Sequence, residues 1–159
     1  MANRRILGID PGSKVTGYGI VELTDKARVC YIASGCIRSG SGAFMVRLGE
    51  IYRGVVAVID EYEPSELAIE DVFVSKNVAS ALKLGQAKGV AIAAAISRDL
   101  PTFEYSPRKV KKSLVGNGSA SKGQVQHMVK AILSLQKSPP TDASDALAIG
   151  ICHVNTSHS

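Results

Sequence analysis

Four carboxylates occupy positions in this chain from which they could act together. Asp10 closes an apolar, β-prone run, Arg4-Arg5-Ile6-Leu7-Gly8-Ile9-Asp10, and a Pro11-Gly12 turn follows at once. Proline fixes φ and glycine accepts φ > 0, so the chain must reverse directly after Asp10. Glu70 lies in a second apolar run, with Ile69 on one side and Val72-Phe73 on the other. Asp142 and Asp145, in Thr141-Asp142-Ala143-Ser144-Asp145-Ala146-Leu147-Ala148, share one face of a helix roughly one turn apart. Brought together, such groups repel and raise one another's pKa unless a cation sits among them. Oxygen donors without His or Cys suit Mg²⁺ or Mn²⁺. Two such ions about 3.5–4 Å apart can activate a water and stabilise the leaving oxygen of an in-line phosphoryl displacement. Each residue also has a plainer reading. Asp10 could bond its own hairpin turn, Glu70 could be an exposed strand position, and Asp142 could be a helix cap. Asp71 points to the face opposite Glu70, toward solvent.

The elements that must position these groups follow from periodicity. Strands are expected over Arg4–Asp10, Val15–Leu23 and Arg28–Arg38, joined by short turns into an antiparallel meander. Gly17 and Gly19 leave room for another backbone or a phosphate to approach. Phe44, Leu48, Ile51, Val55 and Ile59 recur at helical spacing up to Pro64. A fourth strand over Glu66–Phe73, reached by a crossover, should lie parallel to the first. Asn77 caps a helix from Val78 to Arg98, whose Ala81, Leu84, Gly85, Lys88, Gly89, Ile92 and Ala95 suit close packing on the sheet or on a second subunit. Pro101–Tyr105 is a fifth strand, and Pro107–Val115 has helical character. Helices over Ser121–Gln136 and Asp142–Val154 follow, the first stopped by Pro139-Pro140. The expected architecture is α/β, a five-stranded mixed sheet with helices on both faces. Residues 1–154 form a single domain and 155–159 a flexible tail.

Composition narrows the function classes. At 159 residues, 45% of them hydrophobic, the chain can bury a sizeable core and is not disordered. No apolar run is long enough to span a bilayer, and the residues behind Arg4 and Arg5 read as a strand rather than a signal peptide. The three cysteines lack Cys-x-x-Cys spacing and read as buried small hydrophobes in a reducing, cytoplasmic compartment. Cys30 and Cys36, an even number apart on one strand, should face the same side. Net charge is +5. Between Pro107 and Pro140 there are seven basic residues and no acid, either a footprint for nucleic acid or a solvated helix face. His127, His153 and His158 suggest no ligand role.

Taken in order, several blocks resemble the RuvC family of bacterial Holliday-junction resolvases. They are Gly8-Ile9-Asp10-Pro11-Gly12-Ser13 with Thr16-Gly17-Tyr18-Gly19, Ala68-Ile69-Glu70-Asp71-Val72-Phe73, Ser80-Ala81-Leu82-Lys83-Leu84-Gly85-Gln86-Ala87 and Asp142-Ala143-Ser144-Asp145-Ala146-Leu147-Ala148. Gly116-Asn117-Gly118-Ser119-Ala120, with Lys122 and Gln124-Val125-Gln126-His127-Met128-Val129, belongs with them. The resemblance implies a ribonuclease H-like fold and a homodimer that nicks two like strands of a four-way DNA junction symmetrically. It implies two Mg²⁺ per site, with Mn²⁺ able to substitute, held by Asp10, Glu70, Asp142 and Asp145. By the same resemblance Phe73 stacks on a base, Lys111 and Lys122 lie near the scissile phosphate, Lys76 and Arg108 contact DNA, and RuvA–RuvB is the branch-migration partner.

Three other readings compete with it. Sugar kinases, actin and Hsp70 share a Gly-Ile-Asp-x-Gly-Ser/Thr phosphate loop but need a second lobe. A ribonuclease H-like nuclease acting on structured RNA and a non-catalytic junction-binding module are the others.

Overall fold

The computed structural model describes residues 3–71 and 77–157. Five strands, β1 (Arg4–Asp10), β2 (Val15–Leu23), β3 (Val29–Arg38), β4 (Glu66–Glu70) and β5 (Thr102–Tyr105), form one sheet in the order β3-β2-β1-β4-β5. β1, β2 and β3 are antiparallel neighbours, while β4 runs parallel to β1 and β5 parallel to β4. Five helices complete the fold: α1 (Phe44–Tyr62), α2 (Val78–Ser97), α3 (Pro107–Val115), α4 (Lys122–Ile132) and α5 (Thr141–Thr156).

Strand alternation separates two cores. Leu7, Ile9, Ile20, Leu67 and Ile69 pack under Ile51, Val55 and Ile59 of α1 and Ala87, Ala91 and Ala94 of α2. Ile6, Val21 and Ala68, on the other face, pack under α3, α4 and α5. Residues Ala143 to Val154 of α5, apart from Asp145, are all buried, so this helix is the central one on its face. It comes very close to the sheet through glycines. A Cβ on Gly8 would lie 2.1 Å from the Ala146 carbonyl oxygen, and one on Gly17 would lie 2.0 Å from that of Asp142. The space beside Gly17 and Gly19 is therefore filled by a helix, not by a phosphate.

Four details differ from the sequence expectation. α4 ends at Ile132 rather than Gln136, because Ser134 turns to φ 53° and the Leu135 N–H bonds the Lys130 carbonyl at 2.9 Å. This is a Schellman stop built without glycine. α5 continues to Thr156, and the Arg4 guanidinium donates to the Ser157 hydroxyl at 2.6 Å, so residues 155–157 are tied down. β3 bulges, with Ala33 opposite Ile20 but Tyr31 opposite Val21, so Ile32 is extra. Cys36 consequently faces α5 while Cys30 faces the opposite side. The small residues of α2 also divide by face. Ala87, Ala91, Ala94 and Ala95 meet the sheet side, whereas Gly85 and Gly89 have nothing within 4 Å of an added Cβ. As expected, Asp71 lies on the face opposite Glu70, but there it is paired with Lys88 at 2.8 Å.

At the far end of β1, α5 is fastened by His153, which is 1% exposed. Its Nε2 donates to Glu66 at 2.7 Å and its Nδ1 accepts from the Tyr105 hydroxyl at 2.6 Å. Arg4 Nη2 donates to the same carboxylate at 2.8 Å, and Arg4 Nε also donates to it. The Arg4 guanidinium, and secondarily His153, hold the Glu66 carboxyl down at about 2 against the opposing effect of burial. A depressed folded-state pKa stabilises fully above the ordinary value of 4.5 and is lost as pH falls toward 2. Thermal melts should therefore fall across that interval. Glu66→Gln should flatten this response and destabilise at neutral pH by about 3 kcal/mol, a Tm loss of about 6–12 °C. An unchanged acid limb in the variant would show that the ion pair does not set acid stability.

Candidate metal centre and nucleic-acid cleft

Asp10 reaches the end of β1 on the α5 face, the face of Ile6 and Gly8. The turn behind it is fixed locally. A Cβ on Gly12 would lie 2.0 Å from the Val15 carbonyl oxygen, and the Thr16 hydroxyl donates to the Gly12 carbonyl at 3.2 Å. The β1–β4 register, with Gly8 opposite Ala68 and Ile9 opposite Ile69, continues to set Glu70 beside Asp10. Asp142 and Asp145 come from the first turns of α5, pressed against the sheet by the contact at Gly17.

Carboxylate oxygens of Asp10, Asp142 and Asp145 all lie within 4.8 Å of one another. Glu70, on the neighbouring strand β4, stands near enough for its charge to act on Asp10 but is not one of that group of three. Burial, then the negative charges of Glu70, Asp145 and Asp142, push the Asp10 carboxyl up to about 8. Burial also raises Glu70 and Asp145. Lys122 and Lys111 pull Glu70 back down, and Lys122 does the same for Asp145. Crowded, half-buried carboxylates hold their protons to higher pH in this way when no cation separates them. Such an oxygen-only set fits a hard divalent cation, which would release a held proton on binding.

Lys122 Nζ lies 3.1 Å from Asp145 Oδ2. It is the first residue of α4, held by a capping box between Ser121 and Gln124. A cleft of about 240 Å³ opens beside it, walled by Glu70, Lys111, Lys122 and Asp145 and floored by Val110, Val125 and Ile149. Arg108 stands outside this cleft, exposed on the first turn of α3 with its stem under Gly118. Phe73 and Lys76 lie outside the described residues. Two features at the site were not anticipated from the sequence. The Cys36 thiol lies near enough to Asp142 and Asp10 for their charges to raise its pKa, although burial is the larger cause. Ser144 Oγ is buried without a hydrogen-bond partner among the described residues. Only the β3 bulge, which leaves no mark in composition, would have pointed to Cys36.

All five helices begin at this end of the sheet. α1, α2 and α3 follow β3, β4 and β5, which run in the same direction as β1, and α4 and α5 start at Lys122 and Thr141. The positive dipole ends of α4 and α5 lie at the carboxylates and favour an anionic ligand there.

Residues 6–153 match the sequence family described as crossover junction endodeoxyribonuclease RuvC. The chain belongs to the RuvC family. It is 53% identical to the crossover junction endodeoxyribonuclease RuvC of Shewanella woodyi over 154 residues, covering 97% of this chain and 88% of that protein. The Citrobacter koseri protein of the same name is 53% identical over the same length and coverage. The fold superposes with a TM-score of 0.90 on T. thermophilus RuvC in complex with a Holliday junction substrate, at 31% identity, covering 97% of this chain and 94% of that one. Family membership confirms the ribonuclease H-like architecture and the nuclease reading that the motifs implied.

Proposed function

We propose that this RuvC-family nuclease resolves four-way DNA junctions by paired symmetric nicks, using Mg²⁺ held by Asp10, Glu70, Asp142 and Asp145. The observation that carries the reading is the convergence of the β1 and α5 carboxylates beside Lys122, at a cleft that Lys111 and Lys122 share with Glu70 and Asp145. Divalent cations in that set would polarise the phosphate and lower the barrier to its attack by water. Lys111 and Lys122 orient the phosphodiester, so the cut leaves a 5′-phosphate and a 3′-hydroxyl in line. On this reading Lys122 leaves Asp145 for the phosphate, and Mn²⁺ substitutes for Mg²⁺. Arg108 holds DNA beyond the cleft, and Lys76 is a further DNA contact. Phe73 stacks on an unpaired base, an interaction worth about 1–3 kcal/mol.

A homodimer supplies the second site that a paired cut needs. The outward stripe of α2 supports this, since Val78, Leu82 and Ile96 are more than 60% exposed around Gly85 and Gly89. We place the enzyme, a single nuclease domain over residues 1–154, in the cytoplasm with RuvA–RuvB as its branch-migration partner. No described helix is long and apolar enough to cross a membrane. The rival nucleotide-binding reading needs a second lobe, whereas one sheet contains every strand among the described residues.

The test is strand-mapped cleavage of a synthetic four-way junction, with linear duplex and structured RNA alongside, each with and without Mg²⁺. Symmetric cuts confined to the junction and dependent on the metal support the reading. Equal cutting of duplex or RNA, or binding without cutting, overturns it. In the same assay Lys122→Ala should slow cleavage about 10²-fold and lower the salt slope of junction binding by about 0.9. An unchanged rate would remove Lys122 from the phosphate.

A further inference from the structure

Away from the cleft, on the α1–α2 face of the same end of the sheet, lies a second cationic surface. The Phe44 ring is flanked by the Arg47 guanidinium at 5.2 Å and the Lys83 ammonium at 5.7 Å, one from α1 and one from α2. Negative charge is absent nearby in sequence, because residues 26–49 and 72–98 contain no Asp or Glu. Glu50, the first acid of α1, already accepts the Gly40 N–H at 2.6 Å. Among the described residues neither Arg47 nor Lys83 has an ion-pair partner, and the Arg47 Nε–H is buried with no acceptor.

We infer that Phe44, Arg47 and Lys83 form a second phosphate-backbone site that holds a duplex arm of the DNA outside the catalytic cleft. The inference rests on the junction reading above. Both faces of the surroundings bear on the ligand. The ring holds its two cations where a guanidinium and an ammonium can meet successive phosphates. Contact is therefore to backbone, independent of sequence, and acts through counterion release.

The test is junction binding by fluorescence anisotropy across a salt series, with Mg²⁺, in an Asp10→Asn background that does not cut. Arg47→Gln with Lys83→Gln should reduce the slope of log affinity against log salt by about 1.8, the value for two phosphate contacts. Arg47→Lys with Lys83→Arg keeps the charges and should return the parent slope, which separates loss of charge from loss of fold. A parent-like slope in the double Gln variant overturns the inference and leaves the junction reading standing. So does a slope that the charge-preserving variant fails to restore. If the Asp10→Asn parent itself shows no salt-dependent junction binding, both fall together.

Discussion

Asp10→Asn should bind a four-way junction at least as tightly as the parent and cut it at least about 10³-fold more slowly. The substitution keeps the shape of the side chain and removes the charge nearest the centre of the set. Calorimetry checks the physical cause. At pH 7 the parent should release close to one proton on taking up Mg²⁺, because burial and three neighbouring carboxylates push Asp10 up to about 8. The variant should release little. Stability should move the other way. A carboxyl raised in the folded state binds more protons there, so the metal-free parent loses stability as pH climbs from about 4 toward about 8. Removing the charge should therefore raise the melting temperature of the metal-free protein at pH 8 while abolishing cleavage. Full Mg²⁺-dependent cutting by the variant would remove Asp10 from the site.

Gly17→Ala is the second large effect, and it acts without touching a charge. The added methyl would sit 2.0 Å from the Asp142 carbonyl oxygen and 2.5 Å from its carbon. Both are backbone atoms of a buried helix, so no rotamer change relieves the clash. α5 must shift away from β2, and it carries Asp142 and Asp145 with it. Overpacking at such a contact costs about 3 kcal/mol, a Tm loss of about 6–12 °C. A displacement of the order of 1 Å in reacting groups lowers activity about 10²-fold. A variant that melts and cuts like the parent would show that α5 is not fixed by this contact.

Much of this arrangement was legible because the residues that determine it act locally. Pro11 and Gly12 announce the end of β1, and the three-residue spacing of Asp142 and Asp145 announces a shared helical face. Gly17 and Gly19 announced that something approaches closely, but not what, since the identity of a neighbour across the fold is not a local property. The end of α4 escaped because Ser134 adopts the left-handed conformation that normally points to glycine. The parity of Cys30 and Cys36 failed at Ile32, where an extra residue inverts the alternation with no proline or glycine to mark it. His153 gave no sign of its role because its partners Glu66 and Tyr105 lie 87 and 48 residues away in the chain.

The glycine contact between α5 and the sheet also bears on motion. Side chains between a helix and a sheet ordinarily let the two layers loosen by hopping between rotamers, so one edge can open while the rest stays closed. At Gly8 and Gly17 there is no such layer, and main chain rests on main chain. The hydrogen-bonded amides of α5 from Ser144 onward can then exchange with solvent only when β1 and β2 separate from it, an event close in free energy to global unfolding. Helix ends usually fray first. Here the carboxylate-bearing end should be among the last parts of the molecule to take up deuterium.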